Sequence, residues 1–142
     1  MHHWLVKSEP KSWSWADHVH KGVEPWVGVR NHQAANFLKA MKNGDLAFFY
    51  HSVHGKEIVG VLEVVREAYI DPTDAAGRFV AVDFKAVAPL NRPVSLSMLR
   101  AHPALQGLAL LRQSRLSVSP VGRAEWEEIL ALSGGLGERV KP

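Results

Sequence analysis

Five or six short strand-like stretches are scattered irregularly along this chain of 142 residues, and that irregularity limits its folds more than any other feature. Residues 3–7 alternate and predict a first strand. Segments 46–50 and 57–65 predict a β-hairpin around Gly55. Residues 79–87 alternate cleanly, with Val80, Val82, Phe84 and Ala86 on one face. Segments 108–112 and 115–118 predict two further short strands. The helical patterns between them are unequal in length. One spans 12–19 with Ser12 or Ser14 as N-cap. Another opens at Asn31, repeats Ala34, Leu38 and Met41, and stops at Asn43-Gly44. A turn at 95–101 ends at Pro103, and a last helix over 123–132 places Trp126, Ile129 and Leu130 on one side. Segments 22–28, 71–77 and 89–93 read as loops. Parallel βαβ winding needs a regular alternation that is missing here, so a small α+β domain on a curled sheet or partly open barrel is expected. The domain is expected to span 1–133, with 134–142 as a flexible tail that has nothing to bury.

With 46% hydrophobic residues the chain is expected to be globular, and its length fits one domain with a real core. There is no cysteine, which excludes disulfides, thiolate metal sites and a cysteine nucleophile together. The longest apolar stretch, 58–65, is interrupted by Glu63 and is far too short for a membrane helix. The first residues lack the basic-then-apolar order of a signal peptide. A soluble cytoplasmic protein without membrane association is therefore expected.

Four of the five tryptophans fall in the first 26 residues, among polar stretches. They are Trp4, Trp13, Trp15 and Trp26. Flat apolar rings beside groups able to make paired hydrogen bonds suit a pocket for a planar polar ligand such as a nucleobase. The alternative is that the rings fill a small core. Net charge is only +3, but its distribution is uneven. No acidic residue lies between Asp83 and Glu125, whereas Lys85, Arg92, Arg100, Arg112, Arg115 and Arg123 all do. A one-sign stretch of that length forms either a basic face for phosphates, with Arg112 and Arg115 as its sharpest candidates, or a scatter of solvated arginines.

Catalytic readings find little in the sequence. His51-x-x-His54 and His18-x-His20 have metal-compatible spacings, but no third ligand sits at a diagnostic distance, so no metal is expected. Ser8 beside Lys7 and Ser52 beside His51 are formal nucleophiles, yet strand neighbours point to opposite faces. There is no nucleophile elbow, phosphate loop or dinucleotide fingerprint, and no cofactor is expected. Binding has better support. Lys7-Ser8-Glu9-Pro10 ends the first strand, Arg30-Asn31 opens a helix, and Tyr50-His51-Ser52 ends another strand. Three polar ends of this kind converge on one rim of a small barrel. Asn31 is equally readable as an N-cap, Tyr50 as a half-buried strand aromatic, and Glu9 as a surface acid beside Lys7 or Lys11.

Several segments together resemble the EVE domain. They are Trp4 to Pro10, Trp26-Val-Gly-Val-Arg-Asn31 with Gln33-Ala34, and Gly44-Asp45-Leu46 running to Phe48-Phe49-Tyr50-His51-Ser52. Further along come Ile58-Val-Gly60 with Glu63-Val64, Ala68-Tyr69-Ile-Asp71-Pro72-Thr73, Pro93-Val-Ser-Leu96 and Leu111-Arg-Gln-Ser-Arg-Leu-Ser-Val118. The match is collinear over about residues 3 to 132, and the chain is similar to the short bacterial members. The resemblance implies a PUA-like fold, a five- to six-stranded pseudo-barrel with surrounding short helices, akin to PUA, ASCH and YTH domains. It also implies reading of a modified base, with modified cytosine in DNA favoured. By motif the base pocket would be lined by Lys7, Ser8, Glu9, Trp26, Arg30, Asn31, Tyr50 and Ser52. Two departures stand out: Phe79 where similar sequences often carry tryptophan, and Ser119 where glutamine is common before Pro120.

The expected function is therefore a non-catalytic module whose partner is DNA or RNA carrying a modified base. The rivals are an RNA reader on the same scaffold, an enzyme on a nucleotide or small ligand using Glu9 or His51 as acid or base, and an adaptor with a vestigial pocket.

Overall fold

The computed structural model describes residues 1–141. Six strands form one sheet: β1 (His3–Ser8), β2 (Val23–Trp26), β3 (Leu46–His51), β4 (Glu57–Ile70), β5 (Val80–Ser95) and β6 (Val118–Val121). Their spatial order is β2-β5-β4-β3-β1-β6, and every neighbouring pair is antiparallel except β1 with β3. The helices are α1 (Trp15–Lys21), α2 (His32–Ala40), α3 (Leu96–Ala101), α4 (Ala109–Arg112) and α5 (Arg123–Ser133), with a 3-10 turn at Pro103–Leu105. None of them is long and apolar enough to cross a membrane.

The sheet is buried on both faces, which explains the unbroken apolar runs of β1 and β3. On β1, Trp4 and Val6 join one hydrophobic cluster while Leu5 joins the other. On β3, Ala47 and Phe49 face the first cluster, and Phe48 and Tyr50 the second. The first cluster takes residues from both sheet edges, Trp26 of β2 and Val118 of β6. The sheet therefore curls around it, as expected of a pseudo-barrel. Bulges supply the curl: pairing between β4 and β5 shifts at four places, including Ile58/Gly60 and Val64/Arg66. The second cluster lies outside the curl, under α3, α4 and α5. There Trp126 stacks on Phe48 with ring centroids 3.7 Å apart.

Helix starts follow local chemistry. Ser14 and Asp17 close a reciprocal capping box on α1, each bond 3.0 Å, which selects Ser14 over Ser12. Asn31 Oδ1 accepts the Ala34 N–H at 2.9 Å and starts α2. Packing of α1 on the sheet requires the glycine at position 60, where a Cβ would sit 2.6 Å from the Trp15 ring. Gly60→Ala is expected to cost about 1–3 kcal/mol by overpacking, read as a lower urea midpoint with an unchanged slope.

Several expectations are corrected. The supposed loop at 22–28 contains β2, a four-residue edge strand that tolerates Pro25 because an edge residue need not donate. The 89–93 punctuation lies inside β5: Pro89 pairs with Gly60 and Val94 with Ile58, so the intervening residues bulge out. Segment 108–112 is no strand. The N–H of Arg112 reaches the Leu108 carbonyl and that of Gln113 the Ala109 carbonyl, closing a helical turn. Segment 115–118 reaches the sheet only at its last residue, Val118, where β6 begins. Residues 134–141, expected to be free, return along β5, with Leu90 bridging Leu136 and the Val140 N–H donating to the Val87 carbonyl at 2.8 Å. Pro142 lies outside the described residues.

Candidate nucleic-acid interface

Parallel pairing of β1 with β3 brings two of the polar segments together. Lys7 stands opposite Tyr50 and Ser8 opposite His51, so both strands end on the same rim. Antiparallel neighbours add the starts of β4 and β6 and the end of β5: Glu57 pairs with both His51 and Ser95, and the Lys7 N–H donates to the Ser117 carbonyl at 2.9 Å. Two depressions open on this rim.

The first is a cleft of about 480 Å³ lined by Lys7, Tyr50 and Ser52, with Val53, Lys56, Leu96, Arg100, Leu110, Leu111 and Ser114. Its size suits a small planar ligand. Tyr50 is 4% exposed at its base. Burial pushes the phenol's pKa up, against the opposing charge of Arg100, so it stays a neutral hydroxyl. Lys7 Nζ donates to the Ser114 carbonyl at 2.9 Å, and burial lowers its proton affinity. The second depression, a groove of about 310 Å³, is lined by Asn31, Gln33, Arg112, Gln113, Ser114, Arg115 and Leu116. Ser114 belongs to both. No carboxylate residue lines either one. Among the described residues, Lys7, Lys56, Arg100, Arg112 and Arg115 take part in no ion pair. The β3–β4 turn that walls the cleft holds Val53 and Lys56 at φ 66° and 48°, a region costly for a β-branched side chain.

The structure thus gathers Lys7, Tyr50 and Ser52 in the cleft and Asn31, Arg112 and Arg115 in the adjoining groove. The other expected pocket residues go elsewhere. Ser8 follows Lys7 and so points to the opposite face, where its hydroxyl donates to the Trp13 carbonyl at 2.5 Å. Glu9 is exposed, and its carbonyl caps the turn through the Ser12 and Trp13 N–H groups. Trp26 is 8% exposed and packs inside the curl, edge-on to Phe49 and Phe84 at 5.6 Å each. Arg30 turns to Asp71 and Thr73, 3.0 Å from each. Asn31 caps α2 and also lines the groove, outside the cleft. Phe79 packs near both the Arg30 guanidinium and the His32 ring, and Ser119 is buried opposite Leu5.

The acid-free stretch divides as well. Arg100, Arg112 and Arg115 reach the rim, whereas Arg123 pairs with Glu127 beside His3, at the other end of β1. Arg92 donates to the Leu132 carbonyl at the end of α5. A single face of five arginines is therefore replaced by three, joined by Lys7 and Lys56. Sequence reasoning missed Lys56, Arg100 and Ser114 as cleft residues. The one-sign stretch was the signal for Arg100, and nothing marked Lys56 in the hairpin tip.

Two of the histidines raised as metal ligands, His18 and His51, make hydrogen bonds within the fold. The Trp13 indole N–H donates to His18 Nδ1 at 3.1 Å, and His18 Nε2 faces the Phe84 carbonyl at 2.8 Å, which fixes a neutral tautomer; burial lowers its pKa. His51 Nε2 accepts the Trp15 N–H at 3.0 Å and lies outside the cleft lining, as does Glu9.

Comparison with known proteins places this architecture. The EVE domain profile matches residues 2–132. Thymocyte nuclear protein 1 of Homo sapiens is 35% identical over 92% of this chain and 73% of its own length. A solution structure from Rhodopseudomonas palustris is 54% identical, covers 94% of both chains and superposes with a TM-score of 0.90. The crystal structure of human thymocyte nuclear protein 1 in complex with 5-methylcytosine-containing DNA is 34% identical, covers 94% of this chain and 98% of the other, and has a TM-score of 0.85. On motif, fold and coverage alike, the chain belongs to the EVE domain family.

Proposed function

We propose that this protein is a non-catalytic reader of modified cytosine in DNA, which takes one base into the cleft of Lys7, Tyr50 and Ser52. One observation carries the reading. A cleft with room for a nucleobase and a carboxylate-free basic groove meet at Ser114 on one sheet end, in a fold whose human relative is crystallised with 5-methylcytosine-containing DNA. The Tyr50 ring and the leucine walls supply apolar surface for the base, Ser52 and the neutral phenol offer hydrogen bonds to its edge, and Arg112 and Arg115 hold flanking phosphates. Unstacking a base costs a few kcal/mol, and stacking inside a pocket returns about 1–3 kcal/mol.

The reading is tested by measuring the affinity of duplexes that differ in one central cytosine, methylated or not, beside an RNA duplex of the same sequence at fixed salt. The methylated DNA is expected to bind tightest, and equal affinity for all three would sink the proposal. In the same assay Arg112→Gln is expected to reduce the log–log salt slope by about 0.9 and to weaken every DNA equally, as loss of one phosphate contact requires. An unchanged slope in both Arg112→Gln and Arg115→Gln would remove the groove from the interface.

A further inference from the structure

The cleft carries a charge asymmetry that a neutral methylated base does not use. Lys7 of β1, Lys56 of the β3–β4 turn and Arg100 of α3 all line it, and no carboxylate does. The half-buried Lys7 ammonium has three donors and a single protein acceptor, the Ser114 carbonyl. Its backbone is fixed by pairing opposite Tyr50 and by the Lys7 N–H bond to the Ser117 carbonyl, and the Ser114 carbonyl anchors its ammonium at the cleft. Lys56 is held in a left-handed backbone conformation beside Val53, which shares it, and both line the same wall. Strain of this kind persists where surrounding structure imposes it, and it clusters at ligand clamps.

Like charges brought together in a partly desolvated cleft repel, and an anion entering between them relieves that repulsion while gaining charge-assisted hydrogen bonds. A methyl group on C5 of cytosine offers no charge. A carboxylate on the same carbon does, in the plane of the ring and within the space that a modified base requires. The geometry points to a cleft that prefers a cytosine carrying an anionic C5 substituent, a carboxylate, over the methylated base. This inference rests on the reading that the cleft takes the base. The competing use of the three cations is to hold DNA phosphates alone, and the two uses separate experimentally because phosphates are identical in every duplex of one sequence.

The test uses the full chain and three duplexes that differ only at one central position: cytosine, 5-methylcytosine or 5-carboxylcytosine. Affinities are measured by fluorescence anisotropy at one salt concentration and neutral pH. The carboxyl duplex is expected to bind about tenfold more tightly than the methyl duplex, the gain of one charge-assisted hydrogen bond. Lys7→Met and the exposed Arg100→Gln should each remove most of that preference, while Arg123→Gln at the opposite end of β1 should keep it. Arg100 is a surface residue, so its variant stays informative if Lys7→Met does not fold. Carboxyl binding no tighter than methyl, with methyl still favoured over cytosine, overturns this inference and leaves the reader intact. No discrimination among the three overturns both. An equal loss for all three duplexes in Lys7→Met and Arg100→Gln also overturns the inference, by assigning the cations to the phosphates.

Discussion

Replacing Trp26 with alanine is expected to cost about 3–5 kcal/mol of stability, the range for emptying a buried aromatic site. Its ring stands edge-on to Phe49 and Phe84 at 89° to each, with His18 at 6.2 Å. Such pairs contribute about 0.5–1.5 kcal/mol each beyond the area they bury. Trp26 is also the last residue of β2 and pairs with Val82, so the cavity would loosen the sheet edge as well as the interior. The measurement is a urea titration of Trp26→Ala beside Trp26→Phe, which keeps most of the apolar volume and should lose less. For whatever protein remains folded, affinity should fall equally for methylated and unmethylated duplexes, because the ring lies outside both depressions on the rim. A selective loss of discrimination with unchanged stability would contradict this and bring the Trp26 ring into the base site.

Trp26 also illustrates what the sequence made legible and what it hid. The curled α+β sheet was readable because β1 and β3 are short apolar runs, residues 79–87 of β5 alternate, and turn residues separate the strands. The shared rim was readable because Lys7-Ser8 and Tyr50-Ser52 are polar ends of apolar strands, and parallel pairing does bring them together. Which face each side chain takes was not readable. Adjacent residues on a strand diverge, so Lys7 enters the cleft while Ser8 points to the Trp13 carbonyl ahead of α1. β2 was masked by Gly22, Pro25 and Gly28, turn-forming residues whose local preference is overridden by pairing with β5. The helical turn at Ala109–Arg112 was read as a strand because a short apolar run has no period to separate the two. Arg30 looked free because its carboxylate partner is 41 residues further on.

That partner supports the second large effect. Asp71 is fully buried, and its carboxylate accepts four hydrogen bonds. They come from the Gly28 N–H at 2.8 Å, Arg30 Nη1 at 3.0 Å, and the N–H and hydroxyl of Thr73 at 2.7 Å each. The bond from Gly28 depends on a glycine at φ 83°, which turns its N–H toward the carboxylate. Together these bonds tie the chain between Trp26 and Asn31 to the β4–β5 connection, and so set where α2 begins beside the groove. Burial by itself would raise the Asp71 pKa. The bonds from Thr73, Gly28 and Arg30 outweigh it and hold the group at about 2. A depressed carboxylate pKa contributes stability above its unfolded value and loses it as pH falls through the folded value. Here that contribution is about 2–3 kcal/mol at neutral pH, lost between about pH 4 and pH 2. Asp71→Asn removes the charge, leaves Arg30 without its anion, and is expected to cost about 3 kcal/mol at pH 7. The gap between wild type and variant should narrow as the pH of the urea titrations is lowered from 7 to 2.5. A pH-independent gap, or one below about 1 kcal/mol at pH 7, would show that the carboxylate is not the clamp described.

The most direct measurement of the proposed DNA-reading rim is amide chemical-shift mapping of the 142-residue chain titrated with a duplex carrying one 5-methylcytosine. Shifts are expected to concentrate at Lys7, Tyr50, Ser52 and Ser114, to extend to Arg112 and Arg115, and to shrink at the first four when the unmethylated duplex replaces the methylated one. Perturbations confined to the far end of β1, around His3, Trp126 and Leu130, with a silent rim, would contradict the account.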